Sequence, residues 1–208
     1  PSQLGIAATR TFATTDSPAD VDLLIQSTIT SGTSPSTQLN KAGAGRMVFG
    51  VNNTYIGATS IGAGILTIRT DNGLGATTGG LTQVVANAAL ELDGGVSGLT
   101  SGEQIMLRGL GFLGAGALNS VSGVNTLTGA VQIRSSSAAA ESIQITAASG
   151  SQIRFTERIS STNNVAATLA TNNIVKTGGG TIAFLNSSPN QNNSGAMLIS
   201  EGTVRAEG

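Results

Sequence analysis

Three short stretches hold the side chains most suited to chemistry. "DSPADVD" gathers Asp16, Asp20 and Asp22, an oxygen-rich loop of the kind that holds calcium. It lacks the glycine-aspartate nonapeptide rhythm of calcium-binding β-rolls, so it reads as a solvated loop. "KAGAG" sets Lys41 ahead of Gly43 and Gly45, superficially a phosphate loop. The full G-x-x-x-x-G-K-[ST] pattern is missing, and no helix follows to offer its N-terminus. A chain corner is the better reading. "RFTER" flanks Glu157 with Arg154 and Arg158, the one tight mixed-charge group, and reads as an exposed ion pair. The sequons "NNT" and "NNS" enclose Asn53-Thr54 and Asn193-Ser194, and matter only in a host that glycosylates them.

Composition narrows the field further. The 208 residues contain no histidine and no cysteine, which removes the commonest general base, thiolate nucleophiles and the usual nitrogen and sulfur metal ligands. No cofactor and no metal are expected. Charged residues are only 10% and the net charge is -1, so nothing favours nucleic acid or an anionic membrane. Hydrophobic residues at 39% and a mean hydropathy of +0.17 are enough for a buried core. No apolar run approaches the roughly 18 residues of a membrane span. The opening "PSQLGIAATR" lacks a signal-peptide shape and begins mid-phrase, as a fragment of a longer chain would.

The elements that must position these groups are short strands. Alternation with period two recurs in "MVFG", "AVQIRS", "SIQIT" and "SQIRF", separated by clusters of Gly, Asn and Ser. It turns Met47, Phe49, Val131, Ile133, Ile143, Ile145, Ile153 and Phe155 to one side. Two longer stretches then repeat each other with the same parity. Lys41, Gly43 and Gly45 match Lys176, Gly178 and Gly180, and Met47 and Phe49 match Ile182 and Phe184. Gly57 matches Gly195, Thr59 and Ile61 match Met197 and Ile199, and Gly64 matches Gly202. A weaker third copy, "GVNTLTGAVQI", sets Asn125, Thr126 and Gly129 against Asn53, Thr54 and Gly57. Two-residue Asn-Gly or Asp-Gly hairpin turns are absent from the strand connections, which argues against a sandwich. Stacked parallel coils fit better. With roughly 20 to 25 residues per coil, about nine coils would make a rod on the order of 45 Å.

The stretch "LNKAGAGRMVFGVNNTYIGATSIGAGILTI" resembles the passenger-associated transport repeat, also called the autotransporter-associated β-strand repeat. Leu39, Lys41, Gly43, Gly45, Asn53, Thr54, Tyr55, Gly57, Thr59, Ile61, Gly64 and Leu66 fall on its pattern. The copy from Ile174 keeps Lys176, Gly178, Gly180, Gly195 and Gly202 but loses the Asn-Thr-Tyr core. The resemblance implies an all-β, right-handed, single-stranded parallel β-helix, a β-solenoid, in the secreted part of a long bacterial surface protein. The expected organisation is one β-helix segment over 1–208, with repeat-like stretches near 39–69, 114–134 and 174–206. The expected function is a non-catalytic stalk or adhesin segment at the cell surface. Its partners would be neighbouring segments of the same chain, host or environmental surfaces, or further copies of itself, with no nucleic acid and no membrane insertion. A carbohydrate-active β-helix enzyme is the sharper alternative, and it needs convergent acids or bases on one strand face. A self-associating surface layer or filament is the other.

Overall fold

The computed structural model describes residues 2–6, 8–31, 37–78, 80–135, 141–163, 172–185 and 195–207. Among these, every strand pairing is parallel, and each strand pairs with residues roughly one coil away in sequence. The strands form three faces of a β-solenoid. Face I holds seven strands, Arg10–Ala13, Leu39–Ala42, Thr59–Ile61, Leu81–Val84, Gln104–Leu107, Val131–Ser135 and Ile159–Asn163. Face II holds eight, Leu23–Ile25, Arg46–Phe49, Gly64–Ile68, Ala88–Asp93, Leu118–Ser122, Ser142–Ala147, Asn173–Thr177 and Met197–Ile199. Face III holds five, Leu99–Ser101, Val124–Leu127, Gln152–Phe155, Thr181–Leu185 and Thr203–Glu207. Near the N-terminus a separate pair, Gln3–Gly5 with Thr28–Thr30, completes the first coils. Helix is confined to two short 3-10 turns among the described residues, Gly95–Ser97 and Phe112–Gly114.

Period-two alternation drives this arrangement, because each strand gives one set of side chains to a shared interior. On face I, Leu39, Thr59, Thr82, Ile105, Val131 and Ile159 stand above one another in register. On face II the matching ladder is Met47, Leu66, Leu90, Leu118 and Ile145. Face III carries Leu127, Phe155 and Phe184, with the two rings stacked 5.6 Å apart. Met47, Phe49, Thr59, Ile61, Val131, Ile133 and Ile182 are all buried, as the sequence parity predicts.

The coil count differs from the sequence expectation. Eight strands on face II give seven inter-coil steps, about 34 Å at about 4.8 Å each, rather than nine coils and 45 Å. Coil length is the cause. Met47 pairs with Leu66, a step of 19 residues, whereas Ile145 pairs with Lys176, a step of 31.

Two further expectations are corrected at the ends and flanks. Met197 and Ile199 share the inward parity of Ile174 and Lys176, yet they are 36% and 50% exposed. They belong to the last strand of face II, so no coil covers them. Phe184 is half-buried for a related reason and packs against the core from its edge. Conversely, outward-facing Val48 and Ala183 are buried without joining the core cluster. Val48 is flanked on its ladder by Leu24 and Thr67, and Ala183 by Arg154 and Arg205.

Candidate functional site: the repeat corners

Lysine occurs twice in the chain, at 41 and 176, and both side chains are fully buried. Lys41 sits at the inward position of its face I strand, ahead of the corner that leads to face II. Gly43 turns that corner at φ 74°, a left-handed conformation that favours glycine. Lys41 Nζ donates to the carbonyls of Ala42 at 3.1 Å, Gly43 at 2.7 Å and Ala63 at 3.0 Å. Two of these acceptors belong to its own corner. The third lies in the next coil, immediately before Gly64, which is itself left-handed at φ 65°.

Lys176 repeats the arrangement. Its Nζ donates to the carbonyls of Thr177 at 2.6 Å, Gly178 at 2.5 Å and Glu201 at 3.2 Å. Gly178 and Gly202 are left-handed at φ 73° each, and Glu201 immediately precedes Gly202. Spacing from lysine to its corner glycine, and from the third carbonyl to the next glycine, is the same in both copies. The faces differ. Lys41 bridges faces I and II, whereas Lys176 lies on face II and its corner leads to face III.

Burial pushes the Lys41 pKa down to about 8, partly opposed by Asp22, and burial pushes Lys176 down as well, opposed by Glu201. Three carbonyl oxygens around each ammonium supply the acceptors that water would otherwise give.

Most of the remaining motif positions also face inward or press on a neighbouring coil. Asn53 Oδ1 accepts from the Ile29 amide at 2.8 Å, and its Nδ2 donates to the Gly73 carbonyl at 2.6 Å, so one amide joins the coils below and above. Thr54 is exposed, with its backbone amide on the Ile29 carbonyl. Tyr55 is fully buried, its hydroxyl 2.6 Å from Thr59 Oγ1, and burial raises its pKa. A Cβ at Gly57 would lie 1.1 Å from the Thr37 carbonyl, so no other residue fits there. A Cβ at Gly45 or Gly180 would lie 2.6 or 2.3 Å from a carbonyl oxygen of the preceding coil, less extreme but still too close, while Gly195 is half-buried. In the third copy, Asn125 is buried and its Oδ1 accepts from the Leu99 amide one coil below.

Glu103 was not evident from the sequence. It is 3% exposed, with Thr82 donating to Oε1 at 3.3 Å and Oε2 without a hydrogen-bond partner. Burial pushes its pKa up to about 7. The only available signal was parity, since Ser101, Glu103 and Ile105 alternate as inward positions.

The other candidate groups do not assemble a reactive centre. Asp22 Oδ1 accepts from the Ser17 hydroxyl and amide, and Oδ2 from the Arg46 amide at 2.7 Å. The Ser17 hydroxyl and that amide hold its carboxyl below the usual range. Asp16 and Asp20 line a surface depression of about 290 Å³ with Arg46 and Phe112, and no metal-type cluster occurs among the described residues. Glu157, Arg154 and Arg158 form no ion pair, correcting that expectation. The described salt bridges are Arg46–Glu91 at 3.3 Å and Arg69–Asp93 at 3.0 Å. Of the sequons, "NNS" lies outside the described residues; in "NNT" the middle residue Asn53 is buried, while Asn52, the acceptor position, is exposed.

Comparison with known proteins finds a match at the two segments that carry these corners. The family model described as Passenger-associated-transport-repeat matches residues 39–68 and 174–206. No curated protein and no solved structure matches the chain. These two segments are similar to that repeat, and they lie on different pairs of faces of one β-solenoid.

Proposed function

We propose that the chain is a non-catalytic structural segment, a spacer or adhesive rod, of a large secreted or surface-displayed bacterial protein. The supporting observation is where the polar side chains go. Lys41, Lys176, Asn53 and Asn125 turn inward or between coils, where they satisfy backbone groups and hold neighbouring coils together, and buried Tyr55 bonds the Thr59 hydroxyl. Side chains engaged in this way are unavailable to a substrate. The repeat family supports secretion as the setting, because its name ties it to transported passenger segments.

The test has two arms. The chain, displayed in its native parent on intact cells, should be labelled by a membrane-impermeant antibody and removed by external protease. A panel of polysaccharides, esters and peptides should show no turnover above buffer. Signal only after lysis would remove the surface reading. Turnover abolished by changing Glu157, or Asp16, Asp20 and Asp22, would support the carbohydrate-active alternative instead.

A further inference from the structure

Left-handed glycines at a solenoid corner create a specific problem. They turn backbone carbonyls toward an interior that offers few donors, and an unsatisfied buried carbonyl is costly. In both repeats one ammonium donates to three corner carbonyls, two in its own coil and one in the next; the Ala42 carbonyl also accepts from the Thr14 amide at 2.9 Å. The third acceptor exists at that distance only when the following coil has closed over the corner. Coil length does not set these coils apart: the steps are 20 residues from Leu39 to Thr59 and 23 from Ile174 to Met197, and 23 also from Thr59 to Thr82 and from Thr82 to Ile105, where no lysine stands.

We propose that lysine, its glycine two residues on, and the glycine one coil later form a coil-to-coil clamp that closes each repeat on whichever pair of faces it falls. This goes beyond the structural role proposed above, because it assigns a mechanism to one side chain and makes the repeat an autonomous unit. The face shift between copies carries the second half of the claim. Both lysines lie between apolar ladder neighbours, Phe12 and Ile61 for Lys41 on face I and Ile145 and Ile199 for Lys176 on face II, and in both copies the same local spacing supplies the three acceptors. Lysine is absent elsewhere in the chain, while eight arginines serve the remaining positive positions. Arginine is too broad and rigid for a single point of three converging carbonyls, whereas an ammonium presents three rotatable donors.

The experiment uses the full chain and begins without any substitution. Acylation by an amine-reactive acetyl ester is followed by peptide mass analysis at pH 7. The clamp predicts that Lys41 and Lys176 react at least 100-fold more slowly in the folded chain than in denaturant. Reaction of either at the rate of a free lysine would overturn the proposal. Amide hydrogen exchange then separates clamp from filler, with Lys41→Met and Lys176→Met keeping side-chain length while removing the donors. Lys41→Met should speed exchange at Gly62 and Ile65 at least tenfold and leave Gly180 and Thr203 unchanged. Lys176→Met should do the reverse. Unchanged exchange in both variants, or equal loosening of both repeats by either one, would show that the lysines only fill space. Should a variant fail to fold, the acylation rates of the unaltered chain decide the matter.

Discussion

Lys41 and Glu103 are both buried ionisable groups, and they make opposite demands on pH. Glu103 has a folded pKa of about 7, above its ordinary value of 4.5. Between those values the folded chain holds a proton that the unfolded chain has released, so stability is full below about 4.5 and falls as pH rises through 7. Glu103→Gln should remove this slope, worth about 1 to 3 kcal/mol, and should equal or exceed the parent in stability at pH 8. Chemical denaturation at pH 4.5, 6 and 8 measures it, and parallel slopes in the two proteins would refute the assignment. Lys41 has a folded pKa of about 8 against an ordinary 10.5. There the unfolded chain binds the extra proton, so its contribution makes stability rise between those values. Lys41→Met should flatten that rise. At this scale the sequence was misleading in a definite way. Lysine and glutamate normally mark the exterior, and only their parity, with Leu39 before Lys41 and Ile105 after Glu103, pointed inward.

Strands and corners were far more legible. Alternation located Met47, Phe49, Val131, Ile133 and Ile182 correctly because a period of two is enforced by the pleat itself. Burial at a stack end follows a different rule, since it depends on whether another coil lies above, and no local pattern records that. Met197 and Ile199 are therefore exposed with correct parity. The shift of the second repeat from faces I and II to II and III was equally hidden, because the motif reads the same on any pair of faces. Packing differences between the copies give a direct test. Phe49→Ala removes a fully buried ring and should cost about 3 to 5 kcal/mol. Phe184→Ala removes a half-buried ring stacked on Phe155 and should cost less, about 1 to 3 kcal/mol. Equal losses would contradict the described end of the stack. Corners sort in the same way. Gly57→Ala forces a Cβ against the Thr37 carbonyl and should be severely destabilising, whereas Gly5→Ala meets nothing within 4 Å and should be nearly neutral. Thermal melts of the pair check the contrast.

For the whole molecule, one continuous core is built up in seven inter-coil steps. Each coil touches its neighbours, so a lesion in one coil should loosen those beside it more than those far along the axis. Length then comes from the number of steps, and a stack of about 34 Å is what a spacer segment supplies. The absence of cysteine allows this to be measured with paired spin labels. Outward residues of face I form one ladder, Asn40, Ser60, Gln83, Met106, Gln132 and Ser160. Cysteines at Asn40 and, in turn, Gln83, Gln132 and Ser160 lie two, four and five steps apart. Electron spin distances between them should centre near about 10, 19 and 24 Å, rising linearly with step number. Distances that stay flat or fall from Gln132 to Ser160 would mean that the chain folds back on itself, and the single parallel stack would be wrong.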